Sequence, residues 1–158
     1  MGDVFFYHLT ESPLERALPP LLGKALEAGW TIELRGREAA AMDRLDAALW
    51  LGAEEGFLPH GRAGGAHDAR QPVLLTAGEA AANAPSCVMS VGGADISAEE
   101  VAALTRACVL FDGADEAVLQ VARGQWKALT GAGVKAQYWA QEGGRWQKKA
   151  ESQGGSSG

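Results

Sequence analysis

The sequence predicts an α/β protein with a mostly parallel, Rossmann-like sheet, three layers deep, with helices on both faces and no phosphate-binding loop. Short apolar runs of strand character alternate along the chain with amphipathic stretches of helical period, which is the pattern of repeated strand–helix units. A length of 158 residues, of which 47% are hydrophobic, suits one domain with a sizeable core. No repeat of fixed period is visible.

The first half of the chain contains two strand–helix units. An apolar, aromatic-rich run at residues 4–9 predicts a strand, and apolar residues spaced by three and four from Leu14 to Leu26 predict a helix that stops before Gly29. Pro19 and Pro20 fall inside that pattern, so we expect the helix to start at Pro19 or to be kinked there. A second strand at residues 31–35 and a second helix at residues 37–50 follow.

The second half begins with a long polar, glycine-rich stretch at residues 51–71, which predicts a loop of the size that often carries function. Ser97 and Glu100 form a capping-box pattern at one helix start, and Asp115 and Glu116 favour the start of the last helix. The predicted elements are strands at residues 72–76, 87–91, 107–111 and 134–139 and helices at residues 96–107 and 115–130.

The organisation predicted is one domain over residues 1–140 and a C-terminal tail over residues 141–158. The tail is polar and rich in Gly and Ser, so we expect it to be largely disordered. Its two lysines, Lys148 and Lys149, are a source of positive charge near the end of the chain.

Charge and composition narrow the class of partner. Lys and Arg number 14 against 20 Asp and Glu, a net charge of -6, so the surface as a whole should repel nucleic-acid backbones, although one local basic patch is compatible with that total. No signal peptide pattern and no long apolar run occur, so we expect a soluble cytoplasmic protein without membrane contact. Cys87 and Cys108 lie in apolar strand segments and are expected to be buried free thiols.

Catalytic, cofactor and metal motifs are not found. The turn after the first strand, at residues 8–13, has no glycine and places Glu11 where a nucleotide's phosphates would lie. The glycine cluster at residues 61–65 lacks the Lys-Ser or Lys-Thr ending of a phosphate loop. His60, His67 and Asp68 match no structural zinc spacing, and Gly-x-Ser-x-Gly does not occur. We therefore expect no catalytic residue, no cofactor and no metal.

Two residue clusters remain as candidate binding sites. Trp50 ends a predicted helix and Phe57 lies in the polar loop before Pro59 and His60, so these aromatics either pack the loop onto the domain or form an apolar patch for a partner.

The second cluster is in the last predicted helix. Arg123, Trp126 and Lys127 lie at spacings of three and four, so two cations flank an indole on one surface of the helix. They could bind a carboxylate and an adjoining aromatic ring. The alternative is that Trp126 faces the core and the two cations extend outward, and periodicity alone favours this alternative.

These clusters also carry a family resemblance. The opening Phe6-Tyr7, the Leu-Asp-x-x-Leu-Trp run at residues 45–50, Phe57-Leu58-Pro59-His60, and Ala122-Arg123 followed by Trp126-Lys127-Ala128 resemble the chi subunit family of the bacterial DNA polymerase III holoenzyme. The resemblance covers residues 4–139, and the Leu-Trp run paired with Phe-x-Pro-His is its most specific part.

The resemblance implies a non-catalytic subunit of the clamp-loader assembly that connects the polymerase to DNA coated with single-stranded-DNA-binding protein. It implies a site for the acidic, Phe-ended C-terminal tail of that protein at Arg123, Trp126 and Lys127, and an indirect association with single-stranded DNA. It also implies a psi subunit as second partner, whose interface we place at Trp50, Phe57, Pro59 and His60. Gly124-Gln125 and Leu129-Thr130 depart from the family's more basic helix, so weaker, more hydrophobic tail binding is expected.

One other class of function uses the same architecture. A small-molecule or nucleotide-dependent enzyme on a Rossmann-like fold would have a pocket at the carboxyl ends of the strands. The missing glycine turn at residues 8–13 argues against it.

Overall fold

An eight-stranded sheet forms the centre of the protein in the computed structural model, which describes residues 2–51 and 60–152. The strands are β1 (Asp3–Leu9), β2 (Ile32–Arg35), β3 (Gly61–Arg62), β4 (Val73–Thr76), β5 (Cys87–Ser90), β6 (Arg106–Asp112), β7 (Ala136–Glu142) and β8 (Arg145–Ser152). The helices are α1 (Leu14–Glu27), α2 (Ala39–Leu51), α3 (Ala98–Ala103) and α4 (Glu116–Gly131), with a short 3-10 helix at Asp68–Arg70.

The strand order is β3-β4-β2-β5-β6-β1-β7-β8. Neighbouring strands run parallel throughout, except that β8 pairs antiparallel with β7. The prediction of a mostly parallel sheet of α/β class is confirmed.

Each face of the sheet is covered by two helices. On one face, α1 and α2 bury Leu18, Leu22, Met42 and Leu45 against strand side chains such as Leu75. Burying a side chain of this size contributes about 1.5–3 kcal/mol, so this layer supplies a large share of the folding free energy.

The opposite face carries the second core cluster. Here α3 contributes Val101 and α4 contributes Ala122 and Leu129, which pack on strand residues that include Phe6 and Val109. Helices on both faces make three layers, as the sequence predicts.

The helices differ from the prediction at two places. Helix α1 begins at Leu14 and continues through Pro19 and Pro20, because its buried face, with Leu18 and Leu22, compensates for the amide donors that the prolines lack. Helix α3 covers only Ala98–Ala103, although its capping box is present. The segment that follows is taken by β6, since Arg106 already pairs with β1 and β5.

The prediction of a disordered tail is wrong for residues 141–152, because they complete β7 and form β8. Gly143 and Gly144, with φ of 60° and 77°, make the two-residue turn that reverses the chain between these strands. None of the described helices combines the length and apolar character needed to cross a bilayer. Cys87 and Cys108 are buried free thiols, as expected.

Candidate functional site

Helix α4 is fixed at its start by Asp115, whose carboxylate accepts the backbone amides of Ala117 and Val118 at 3.0 and 3.3 Å. Its buried side rests on the sheet through Ala122 and Leu129. The other residues of the helix are partly or fully exposed, so its outer surface is available for binding.

Trp126 lies at the boundary between core and surface. Its indole meets the ring of Phe6 edge-on at 5.3 Å and that of Tyr138 at 6.1 Å. It is half-buried, packs against the core cluster beneath α4 and lines a surface groove. Trp126 therefore packs against the core with part of its ring and faces the groove with the rest, which combines the two alternatives that the sequence leaves open.

The groove lies between α4 and the β7–β8 hairpin and has a volume of about 810 Å³. Phe111 and Ala122 are buried within its lining, and Trp126 and Tyr138 are half-exposed there. The cationic lining residues are Arg123, Lys127 and Lys149, all exposed.

The charge of this groove is opposite to that of the whole chain. None of the described residues that line the groove is acidic, whereas the chain carries a net charge of -6. Arg123 and Lys127 form no ion pair with any carboxylate in the part of the chain that the structure describes. The arrangement can therefore hold carboxylates at its rim and an aromatic ring over its apolar lining.

His8 supports the groove from below. Its Nδ1 atom lies 2.7 Å from the hydroxyl oxygen of Tyr138, and its ring stacks on Phe111 at 4.9 Å. Burial lowers the pKa of His8, with the charge of Arg123 acting in the same direction and Asp112 opposing. Burial also raises the pKa of Tyr138, so both groups are neutral at pH 7.5.

The helical spacing predicts Arg123, Trp126 and Lys127 at the groove but does not predict the contribution of three strand residues. Phe111, Tyr138 and Lys149 come from β6, β7 and β8, and only strand pairing brings them to the helix. The Gly143-Gly144 pair between two strand-like segments is the hairpin signal that could have revealed β8.

The turn between β1 and α1 is occupied by the chain itself. The Oε1 atom of Gln141 accepts the backbone amides of Thr10, Glu11 and Ser12 at 3.1, 2.9 and 3.1 Å. In nucleotide-binding relatives of this architecture, amides in this turn bind phosphate. Here a side-chain oxygen takes that position, consistent with the absence of glycines in the turn.

The carboxyl ends of β2 and β5 form the crevice where the sheet's connections diverge, which is the usual ligand position in open α/β sheets. A pocket of about 480 Å³ exists there. Arg35 in its wall donates to Glu33 at 3.0 Å and to Glu100 at 2.6 Å, and to the backbone oxygen of Asp95 at 2.9 Å.

That crevice is poorly suited to a nucleotide. Glu33 is only 4% exposed and also accepts the Thr76 hydroxyl at 2.7 Å. Arg37 also lines the pocket, but the two carboxylates of Glu79 and Asp95 outnumber it, and they oppose phosphate binding. The Arg35 guanidinium is committed to internal contacts, and its hydrogen bonds to Glu100 and Glu33 raise its pKa despite burial.

Of the three residues considered as metal ligands, His60 and Asp68 make separate contacts. The Asp68 carboxylate accepts the amides of Gly64 and Gly65 at 2.9 and 3.0 Å, whereas Nε2 of His60 lies 3.4 Å from Oδ1 of Asp46. Within residues 2–51 and 60–152, no three His, Cys, Asp or Glu side chains come together as a metal site would require.

The other predicted cluster, formed by Trp50, Phe57, Pro59 and His60, lies only partly within the residues that the structure describes. Trp50 is 46% exposed, and its ring lies 4.2 Å from that of His60, which is 3% exposed. His60 is thus buried beside Trp50. Phe57 and Pro59 lie outside the described residues.

Fold and groove together define a Rossmann-like α/β protein with a basic, aromatic-lined groove on its last helix. At the positions where such sheets bind phosphate, this protein has its own side chains. The chain belongs to the DNA polymerase III chi subunit (HolC) family, whose sequence model matches residues 1–137. It is therefore an accessory subunit of DNA polymerase III. No curated protein sequence matches the chain.

Proposed function

We propose that the groove on α4 binds the acidic C-terminal tail of single-stranded-DNA-binding protein, and that the chain is a non-catalytic connector, in the cytoplasm, between this protein and the polymerase assembly. The observation that carries the proposal is the groove's charge. In a chain of net charge -6, three cations and no described acidic residue line it. Such a groove attracts an acidic peptide and repels a basic one.

The geometry suits a peptide that ends in an aromatic residue. Arg123 and Lys127 can bind carboxylates, including the terminal one, through charge-assisted hydrogen bonds. The rings of Trp126 and Tyr138 are half-exposed beside these cations and can pack against a phenylalanine. An association with single-stranded DNA is then indirect, through the protein that coats it.

Calorimetric titration tests this proposal, with a short acidic peptide ending in Pro-Phe added to the full chain at low and moderate salt. We expect saturable binding that weakens with salt, and a loss of about ten-fold in affinity for Arg123→Ala and for Lys127→Ala. Lys24→Ala is the matched control, because it removes the same charge from α1 on the other face of the sheet.

A peptide with Ala in place of the last Phe should bind weakly to the wild-type chain, since it lacks the ring. The proposal fails if the acidic peptide does not bind, or if Lys24→Ala weakens binding as much as Lys127→Ala does. The latter result would mean that only the overall charge of the chain matters.

The second partner surface is the exposed indole of Trp50, which would contact a psi subunit and join the chain to the clamp loader. A half-exposed tryptophan supported by the buried His60 ring is the kind of anchor that protein interfaces use. We expect Trp50→Ala to prevent co-elution with a psi subunit while leaving peptide binding unchanged. Arg123→Ala should do the reverse, and loss of both activities in either variant would contradict two separate surfaces.

A further inference from the structure

The β7–β8 hairpin is fixed to the rest of the domain at its turn. The carboxylate of Glu11 accepts the backbone amides of Gly143 and Gly144, each at 3.0 Å. Gln141, just before the turn, binds the β1–α1 segment, and Trp146 packs edge-on against Tyr7 at 5.0 Å. The hairpin is therefore an ordered wall of the groove.

An irregularity in the hairpin determines which lysine reaches the groove. Tyr138 pairs with Ala150 and Trp139 pairs with Lys148, so Lys149 is the extra residue of a β-bulge. Lys149 and Ala150 line the groove together with Tyr138.

Lys148 lies on the other face of the sheet. Its register partner Trp139 stacks on Phe5, which packs against the core under α1 and α2. The Nζ atom of Lys148 is 3.4 Å from Oε1 of Glu151. Two adjacent lysines therefore have opposite orientations relative to the groove.

Lys149 is held by an ion pair with Glu142, in which the two side chains are 42% and 58% exposed. An ion pair this exposed contributes little to stability. A carboxylate entering the groove can therefore replace Glu142 or share the ammonium group with it.

We propose that Lys149 is a third cation of the ligand site, contacting an acidic residue of the bound peptide, and that Glu142 acts as an internal competitor for it. This inference rests on the proposed function of the groove. Lys149 lies beyond residues 1–137, the segment that the family's sequence model matches, so the family match does not assign this contact, which is inferred from the place of Lys149 in the groove.

The test uses two matched pairs of variants, titrated with the same acidic Pro-Phe peptide. Lys149→Ala should weaken binding by about three- to ten-fold, whereas Lys148→Ala, which removes the same charge from the other face, should change it by less than about two-fold. Glu142→Gln should strengthen binding by about two- to three-fold, because it releases Lys149, and Glu151→Gln should have no effect.

The double variant Lys149→Ala/Glu142→Gln completes the test. If Glu142 acts only through Lys149, the double variant should bind as weakly as Lys149→Ala alone. Near-ultraviolet circular dichroism of every variant establishes that the hairpin's tryptophans remain packed.

Two outcomes distinguish failure of the role of Lys149 from failure of the proposed function of the groove. Equal affinities for Lys149→Ala and Lys148→Ala, together with loss of binding in Lys127→Ala, would contradict the role of Lys149 and leave the proposed function in place. Absence of peptide binding by the wild-type chain would overturn both.

Discussion

Gln141 and Glu11 form reciprocal hydrogen bonds between the hairpin and the β1–α1 turn. Oε1 of Gln141 accepts the backbone amide of Glu11 at 2.9 Å, and the carboxylate of Glu11 accepts the backbone amides of Gly143 and Gly144 at 3.0 Å. One side chain closes the β1–α1 turn and the other closes the hairpin turn. The two loops thus act as a single unit next to the groove.

Gln141→Ala should lower the free energy of unfolding by about 1–2 kcal/mol, because three backbone amides lose one shared acceptor and water replaces it only in part. Urea titration measures the stability, and hydrogen exchange should show faster exchange at Thr10, Glu11 and Ser12. Gln147→Ala is the control, since Gln147 is exposed in the same hairpin. An equal loss in both variants would contradict the role assigned to Gln141.

Gly124→Ala should stabilise the protein by about 0.5–1 kcal/mol. Gly124 lies inside α4, and a Cβ atom placed there meets nothing within 4 Å in the described structure. Gly113→Ala should do the opposite, because its Cβ would clash with the imidazole of His8, and we expect a loss of about 1–3 kcal/mol. Thermal and urea unfolding compare the two variants, and a destabilised Gly124→Ala would mean that α4 does not have this exposed side.

Arg35→Ala should reduce stability by about 3 kcal/mol, since it leaves the buried carboxylate of Glu33 without its cation. The double variant Glu33→Gln/Arg35→Met should recover most of the loss, because Gln still accepts the Thr76 hydroxyl and no buried charge remains. Urea unfolding of both variants checks this. If the double variant is as unstable as Arg35→Ala, the uncompensated charge is not the cause.

The pH dependence of stability should contain a contribution from His8. Its pKa is lower in the folded protein than the ordinary value of 6.5, so the unfolded chain binds more protons near that pH. The stability that neutral His8 contributes is present above pH 6.5 and decreases as the pH falls below it. We therefore expect the wild type to lose stability relative to His8→Phe as the pH falls from 7.5 to about 5. A constant difference over that range would contradict the lowered pKa.

Most of the fold follows from local pattern. The alternating runs at β1, β2 and β4–β7 and the spacing in α1, α2 and α4 identify these elements, because each buries one face or both in a core that the sequence marks by apolar residues. β8 could not be found by that criterion. Its residues are exposed, except for Trp146 and Ser152, because an outermost strand pairs on one side only and buries little.

The candidate site also has residues that the sequence predicts and residues that it does not. Arg123, Trp126 and Lys127 are close in sequence, so helix geometry alone places them together. Lys149 reaches them only through the hairpin's register and its bulge, and His8 supports the groove only because β1 lies between β6 and β7. Such contacts depend on strand order, which local pattern does not encode.

The strand order has a further consequence for how the chain could work within a larger assembly. Trp50 lies at the end of α2, which packs against β3 and β4 at one edge of the sheet, while the groove lies at the other edge beside β8. Seven inter-strand spacings separate these edges, which corresponds to about 33 Å. If both proposed surfaces are used, the protein acts as a spacer: a partner at Trp50 and a peptide in the groove would be held at a fixed separation, and each would raise the local concentration of the other.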